Sequence, residues 1–215
     1  MKFIKLLVVL LCMYSLSACE EEYSYPNVVT ELTEVETDSQ GKLSRLITDR
    51  GESYAIGQQP EKLKLVADTL YRVLSVFEPM EEKNSPLHVY SIQPVFAYPP
   101  LPIKDFKEGI KTDPVDIQSI WRSGKYLNLI LEVQTKDKKH AFHFADDGIS
   151  TRNDGYRTLN LIFYHDRKDD YEAFTSKYCF SIPLNSYEGK LRKGDKILLH
   201  IQTYKEGKTT REFDF

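Results

Sequence analysis

The chain has 215 residues, a formal net charge of −3 and 12% aromatic residues. A near-neutral balance leaning acidic excludes a nucleic-acid binder by charge, and plentiful Tyr and Phe with evenly spaced Gly and Pro give the composition of β-structure. No G-x-S-x-G, H-E-x-x-H or C-x-x-C motif is present, so nothing in the sequence points to an enzyme.

The chain opens on a leader. Lys2 and Lys5 supply positive charge, and residues 3–16 form an apolar run. A run of about a dozen residues has the size of a signal-peptide core, and is short of the ~20 residues a spanning helix needs. Small residues, Ser17 and Ala18, precede Cys19. Leu16-Ser17-Ala18-Cys19 resembles a bacterial lipobox. The resemblance implies residues 1–18 as a lipoprotein signal peptide, cleavage before Cys19, diacylglycerol on its sulfur and acylation of the new amine. Residues 19–26 then form a lipidated tether. One acyl chain binds a bilayer only marginally, whereas two or more anchor it stably. Glu20, Glu21 and Glu22 follow at once. They resemble a surface-export signal, and they also suit a plain solvated leader. The expected location is the outer membrane, lipid-anchored and at the cell surface. Cleavage would leave Cys179 as the only thiol apart from the lipidated one, so no internal disulfide is expected.

Residues 27–97 read as a small barrel. Residues 27–37 are β-prone, Asp38-Ser39-Gln40-Gly41 is a turn signal, and residues 43–48 alternate, which predicts a hairpin. Residues 53–56 make a short strand, residues 58–65 a loop, and residues 69–78 a strong strand with Tyr71, Val73 and Phe77 on one face. Residues 88–96 follow, with Tyr90, Ile92 and Phe96 read as its inward set. Five strands with the longest gap between the third and fourth have the order of an OB-type barrel. Residues 20–105 carry a net charge of −7, so the nucleic-acid binding common among OB folds is not expected here.

Residues 98–113 form a Pro-rich joint, with Tyr98-Pro99-Pro100-Leu101-Pro102 extended and stiff. Residues 114–215 then read as an antiparallel β-sandwich. Leu127, Leu129, Leu131 and Val133 alternate with polar neighbours. His140, Phe142 and Phe144, then Leu159, Leu161 and Phe163, then Tyr178, Phe180, Ile182 and Leu184, then Ile197, Leu199 and Ile201 form further inward sets, and residues 209–213 suit an edge strand. Residues 106–215 carry a net charge of +2.

Candidate sites are few. Trp121, Tyr126 and Tyr156 together would make a stacking platform for a glycan. Asp146-Asp147-Gly148 and Asn153-Asp154-Gly155 read as acidic turns, so Asp146, Asp147 and Asp154 are candidate calcium ligands, although Asp and Asn are also simply good turn residues. No other cofactor is expected. His140 and His143, three apart on a strand, face opposite sides and cannot share a metal, and all five histidines read as ordinary strand or loop residues. Cys179 reads as a small packed residue.

Taken together, the lipobox, the early hairpin over residues 28–48, the strand ending Phe77-Glu78-Pro79, the Tyr98-Pro99-Pro100 joint and the alternating strand over residues 126–133 resemble the NigD-like lipoprotein family. The resemblance implies an OB-type domain followed by a β-sandwich, a membrane attachment through Cys19, and a non-enzymatic role in recognising a protein partner, with bacteriocin immunity as the family's proposed task. A surface glycan-binding lipoprotein is the alternative.

Overall fold

The computed structural model describes residues 26–215 apart from Lys62 and residues 80–84. The leader, Cys19 and Glu20–Glu22 lie outside the described residues.

Strands β1 (Val29–Thr37), β2 (Leu43–Thr48), β3 (Ser53–Gln58), β4 (Leu70–Phe77) and β5 (Leu87–Pro94) close into a barrel in the order β1-β2-β3-β5-β4. β1 pairs antiparallel with both β2 and β4, and β3 runs parallel to β5. The barrel thus has the five-stranded order expected of an OB-like fold. Val35, Leu43, Leu46, Val73, Phe77, Leu87 and Val89 fill it. Inward set and sequence reading differ on β5. Phe77 opposes Val89 while Val76 opposes Ser91, so Tyr90 is an extra residue. That bulge flips the alternation: Leu87 and Val89 point inward before it and Ile92 packs on the core after it. Tyr90 itself points out and its hydroxyl donates to Glu78. Phe96 leaves the barrel altogether.

The second module is a sandwich. One sheet holds β11 (Phe174–Pro183), β8 (Tyr126–Thr135) and β7 (Asp116–Ser123), in that order. The other holds β13 (Gly207–Asp214), β12 (Lys196–Thr203), β10 (Arg157–Asp166), β9 (Ala141–Thr151) and the two-residue β6 (Leu101–Pro102). Most pairings are antiparallel, but β10–β12 and β6–β9 are parallel. The chain reaches β12 from β10 by way of β11 in the opposite sheet. Leu127, Leu129, Leu131, Leu159, Leu161, Phe163, Phe180, Ile182, Ile197 and Leu199 are buried between the sheets. Each fully buried side chain of this size contributes roughly 1.5–3 kcal/mol relative to exposure.

Residues 96–102 lace the open side of the sandwich. Phe96 accepts from the Ser181 amide at 2.9 Å and donates to the Cys179 carbonyl at 3.2 Å, extending the β11 edge. Five and six residues on, Leu101 and Pro102 pair with Ala145 and Asp146 on the other sheet. The Phe96 ring stacks on Phe180 at 5.3 Å and meets Phe142 edge-on at 5.8 Å. A proline-rich segment loses little conformational freedom on being fixed, which suits it to a strap across two sheets.

Candidate functional site

Two buried polar clusters stand out, one where the barrel meets the sandwich and one at the far end of the sandwich core.

At the joint, Glu34 on β1 and Arg72 on β4 are direct cross-strand partners on the barrel's outer face. The two lie on either side of Tyr126, at the start of β8. The Tyr126 hydroxyl donates to Glu34 at 2.5 Å, and the Arg72 guanidinium lies 4.0 Å from the centre of its ring. Arg72 also holds Asp49 through both terminal nitrogens, at 2.5 and 2.9 Å, and donates to Asn128 and Ser181 at 3.1 Å each. Asn128 and Ser181 oppose one another on β8 and β11, on the face turned away from the sandwich core. A planar fork is the residue type that serves such a set, because a lysine would reach one carboxylate oxygen as a point charge. Burial, and then the bond to Glu34, push the Tyr126 hydroxyl far above the usual phenol range. The turn between β7 and β8 closes the same seam: a Cβ on Gly124 would lie 2.5 Å from the Asp49 carbonyl oxygen.

At the far end, two inward-facing sets continue one step further than the apolar residues. Phe144 and Phe142 lead to His140, and Leu161 and Phe163 lead to His165. The two imidazoles meet, Nδ1 of His140 lying 2.9 Å from Nε2 of His165. His165 Nδ1 faces the Asp113 carbonyl at 2.9 Å, and His140 Nε2 faces the Asp170 carboxylate at 3.2 Å. Both outer partners are acceptors, so each ring can turn an N–H outward, His165 toward the Asp113 carbonyl and His140 toward Asp170. Burial pushes the His165 imidazole down. Burial alone would raise the Asp170 carboxyl, but backbone amides that include those of Lys136 and Asp137, at 2.6 and 3.1 Å, outweigh it and hold it well below the carboxylate range. Phe142 stacks on His165 at 4.9 Å.

Asp170 ends a tight turn. Its amide donates to the Arg167 carbonyl at 3.0 Å, and Lys168 and Asp169 between them both have positive φ, at 56° and 54°. That is the type I′ geometry that Asn-Gly adopts readily and that Lys-Asp adopts only under strain, at a cost of order 1–3 kcal/mol per residue. The Lys138 ammonium clamps it by donating to the Lys168 and Asp169 carbonyls, at 2.9 and 3.0 Å.

The residues singled out from the sequence do not come together. Tyr126 is buried in the joint. Trp121, half-buried on β7, shares a cross-strand row with Asn128 and Ser181 on the outer face of the three-stranded sheet. Tyr156 lies in the β9–β10 hairpin of the other sheet, over Gly194 and 5.5 Å from Arg192. Asp146-Asp147-Gly148 is a bulge within β9, not a turn: Leu159 opposes Ile149 and Leu161 opposes Asp146, which leaves one extra residue on β9. Asp146 accepts from the Gly148 amide and the Tyr187 hydroxyl, at 2.8 and 2.9 Å. Asp147 is exposed, and Asp154 pairs with Arg152 at 2.6 Å and caps the Tyr156 amide. Among the described residues no group of three or more His, Cys, Asp or Glu side chains is placed to hold a metal ion. Cys179 is half-buried and burial pushes its thiol up, away from reactivity.

The second module matches the family model of the NigD-like C-terminal beta sandwich domain over residues 99–215. The chain belongs to that family. A NigD-like immunity protein from Bacteroides caccae is similar in structure at 28% identity and a TM-score of 0.74, over 90% of this chain and 99% of that one. A DUF1344 protein from Bacteroides vulgatus follows at 18% identity and 0.68, over 88% and 91%. A candidate lipoprotein from Bacteroides fragilis is 14% identical with a TM-score of 0.59, over 88% and 97%. These last two likenesses are of fold. No curated protein matches the sequence.

Proposed function

We propose that the protein is a lipid-anchored, extracytoplasmic member of the NigD-like family that recognises a protein partner without catalysing a reaction, in the manner of an immunity factor. The observation that carries this reading is the likeness to the B. caccae immunity protein, which runs through both modules and nearly the whole of that chain. Leu16-Ser17-Ala18-Cys19 supplies the anchor, and the acidic residues behind it fit a cell-surface address. The His140–His165–Asp170 chain is the nearest thing to a proton relay, and it supports a structural role: every ring nitrogen is engaged by a fixed partner and the carboxylate is saturated with amides. A glycan platform draws less support, because Tyr126 is sealed in the joint with its hydroxyl on Glu34.

The test has two arms. Cys19→Ala is expected to move the protein from the membrane fraction to the soluble one, and unchanged fractionation would overturn the anchor. A deletion strain is expected to gain sensitivity to a bacteriocin made by a neighbouring strain, restored by the parent gene. Unchanged sensitivity across a panel of such producers would remove the immunity role.

A further inference from the structure

The geometry points to the sandwich loops farthest from the barrel as a docking face for a folded protein whose contact patch is acidic around an apolar socket. This deepens the reading above by naming where the partner binds and what it looks like.

The position follows from the strand registers. Val29, where the chain enters β1, pairs with Phe77, which pairs with Val89. The other end of β5, at Pro94, runs into the sandwich through Phe96. The chain thus enters the barrel at Val29 on the side away from the sandwich. Gly124 and Tyr126 mark the sandwich end that touches the barrel, and the β10–β11 and β12–β13 connections mark the opposite one. An anchored chain would hold those loops outward.

Exposed aromatic side chains gather there. Tyr171 is 75% exposed, Phe174 65% and Tyr204 37%. Side chains that stand so far out of their loops fit sockets in a partner, and large aromatic anchors of this kind dominate protein interfaces. The loops are also fixed in advance. The Asp170 anchor and the Lys138 clamp hold the turn before Tyr171, and Arg167 and the Tyr204 hydroxyl both hold Glu172, at 3.0 and 3.2 Å. Ordering that is already complete is not subtracted from binding.

Charge selects the partner. Most carboxylates of these loops are held internally: Asp170 by amides and His140, Asp166 by Lys111 and Lys168, Glu172 by Arg167, Glu206 by Arg211; Asp169 is exposed and is outnumbered by the lysines around it. Lys138, Lys139 and Lys205 are exposed and, among the described residues, have no carboxylate within salt-bridge distance. An aromatic knob ringed by cations matches an acidic rim around an apolar hollow.

The test places a benzophenone photo-crosslinker at position 171, and separately at position 156 at the opposite end, in the full chain on intact cells. The expected result is an adduct with one identifiable protein from position 171 alone. That protein, purified, should bind the mature chain more weakly at raised salt, and about tenfold or more weakly to Tyr171→Ala/Phe174→Ala. Both substituted residues are largely exposed, so the double variant should melt as the parent does. An adduct only with lipid or glycan, equal adducts from both positions, no adduct, or an affinity indifferent to salt or to the double variant would overturn the proposal. Purified binding does not depend on Cys19, so a failed anchor and a failed docking face give different results.

Discussion

The joint and the far end of the sandwich solve one problem in two ways. Each buries charge, and each surrounds it with partners. At the joint the charge is a guanidinium, which does not titrate in the ordinary pH range, and its partners come from both modules. At the far end the charge is the Asp170 carboxylate, and its partners, backbone amides and a pair of imidazoles, all belong to one module. The first arrangement fixes how two folded units sit together. The second fixes the shape of a set of loops, and it does so with a group whose charge depends on pH. A rigid seam between the modules and a titratable brace under the exposed aromatics are what a protein needs if it is to present one end and hold the other.

The comparison is broken most severely at the joint. Arg72→Ala would strand Asp49 and leave Asn128 and Ser181 without their shared donor. Breaking a buried pair from one side costs about 3–5 kcal/mol. Urea denaturation should show that loss. It should also separate one transition into two as barrel and sandwich uncouple, while Arg72/Asp49 double substitution should recover part of it. Next in size is the far end. His165→Phe keeps the stacking on Phe142 but leaves His140 Nδ1 and the Asp113 carbonyl unsatisfied, at about 1–3 kcal/mol each. The same denaturation series should show a single, earlier transition, because no seam between modules is touched. Gly124→Ala sharpens the contrast further. Its φ of 52° strains any side chain, and the added Cβ meets the Asp49 backbone. A cost of order 1–3 kcal/mol is expected. It should appear as weakened coupling between the two transitions, with the far loops unaffected, as read by amide exchange at residues 136–140.

Much of the fold was legible in the sequence and little of the site was. The inward sets of β8, β10, β11 and β12 were readable because each apolar residue has a polar neighbour in period two. The same pattern hid Arg72. Between Tyr71 and Val73 it reads as a solvated outward residue, and only the docking of a second module, invisible to a local pattern, turns that outward face into an interior. The Tyr90 bulge was hidden for a related reason: one extra residue inverts a face without changing composition. The histidine pair did leave a signal. His140 already stands in line with Phe142 and Phe144, and extending 161-163 to 165 carries the facing inward set onto histidine at the same end of the core. His140 was instead weighed against His143, its neighbour in sequence but not across the core. Asp146-Asp147-Gly148 read as a turn because its residue types favour one, and the long pairing of β9 with β10 absorbed it as a bulge.

The smallest effect is the one that separates the two clusters most cleanly. Burial disfavours the charged form of His165, so it titrates below its ordinary value when folded and near about 6.5 when unfolded. The sign follows. Above the unfolded value neither state takes up that proton and stability is full. As pH falls below it the unfolded chain binds the proton first, so stability declines toward the folded value. The urea midpoint should therefore fall as pH is lowered from about 7.5 to about 5.5, a window above the ordinary carboxylate range. His165→Phe should flatten most of that slope. In Gly124→Ala, whose damage lies at the joint, the slope should be that of the parent. A slope that persists in His165→Phe would assign the titration to other histidines and reduce the far cluster to ordinary packing. A slope lost in both variants would mean that the two ends of the sandwich are one cooperative unit.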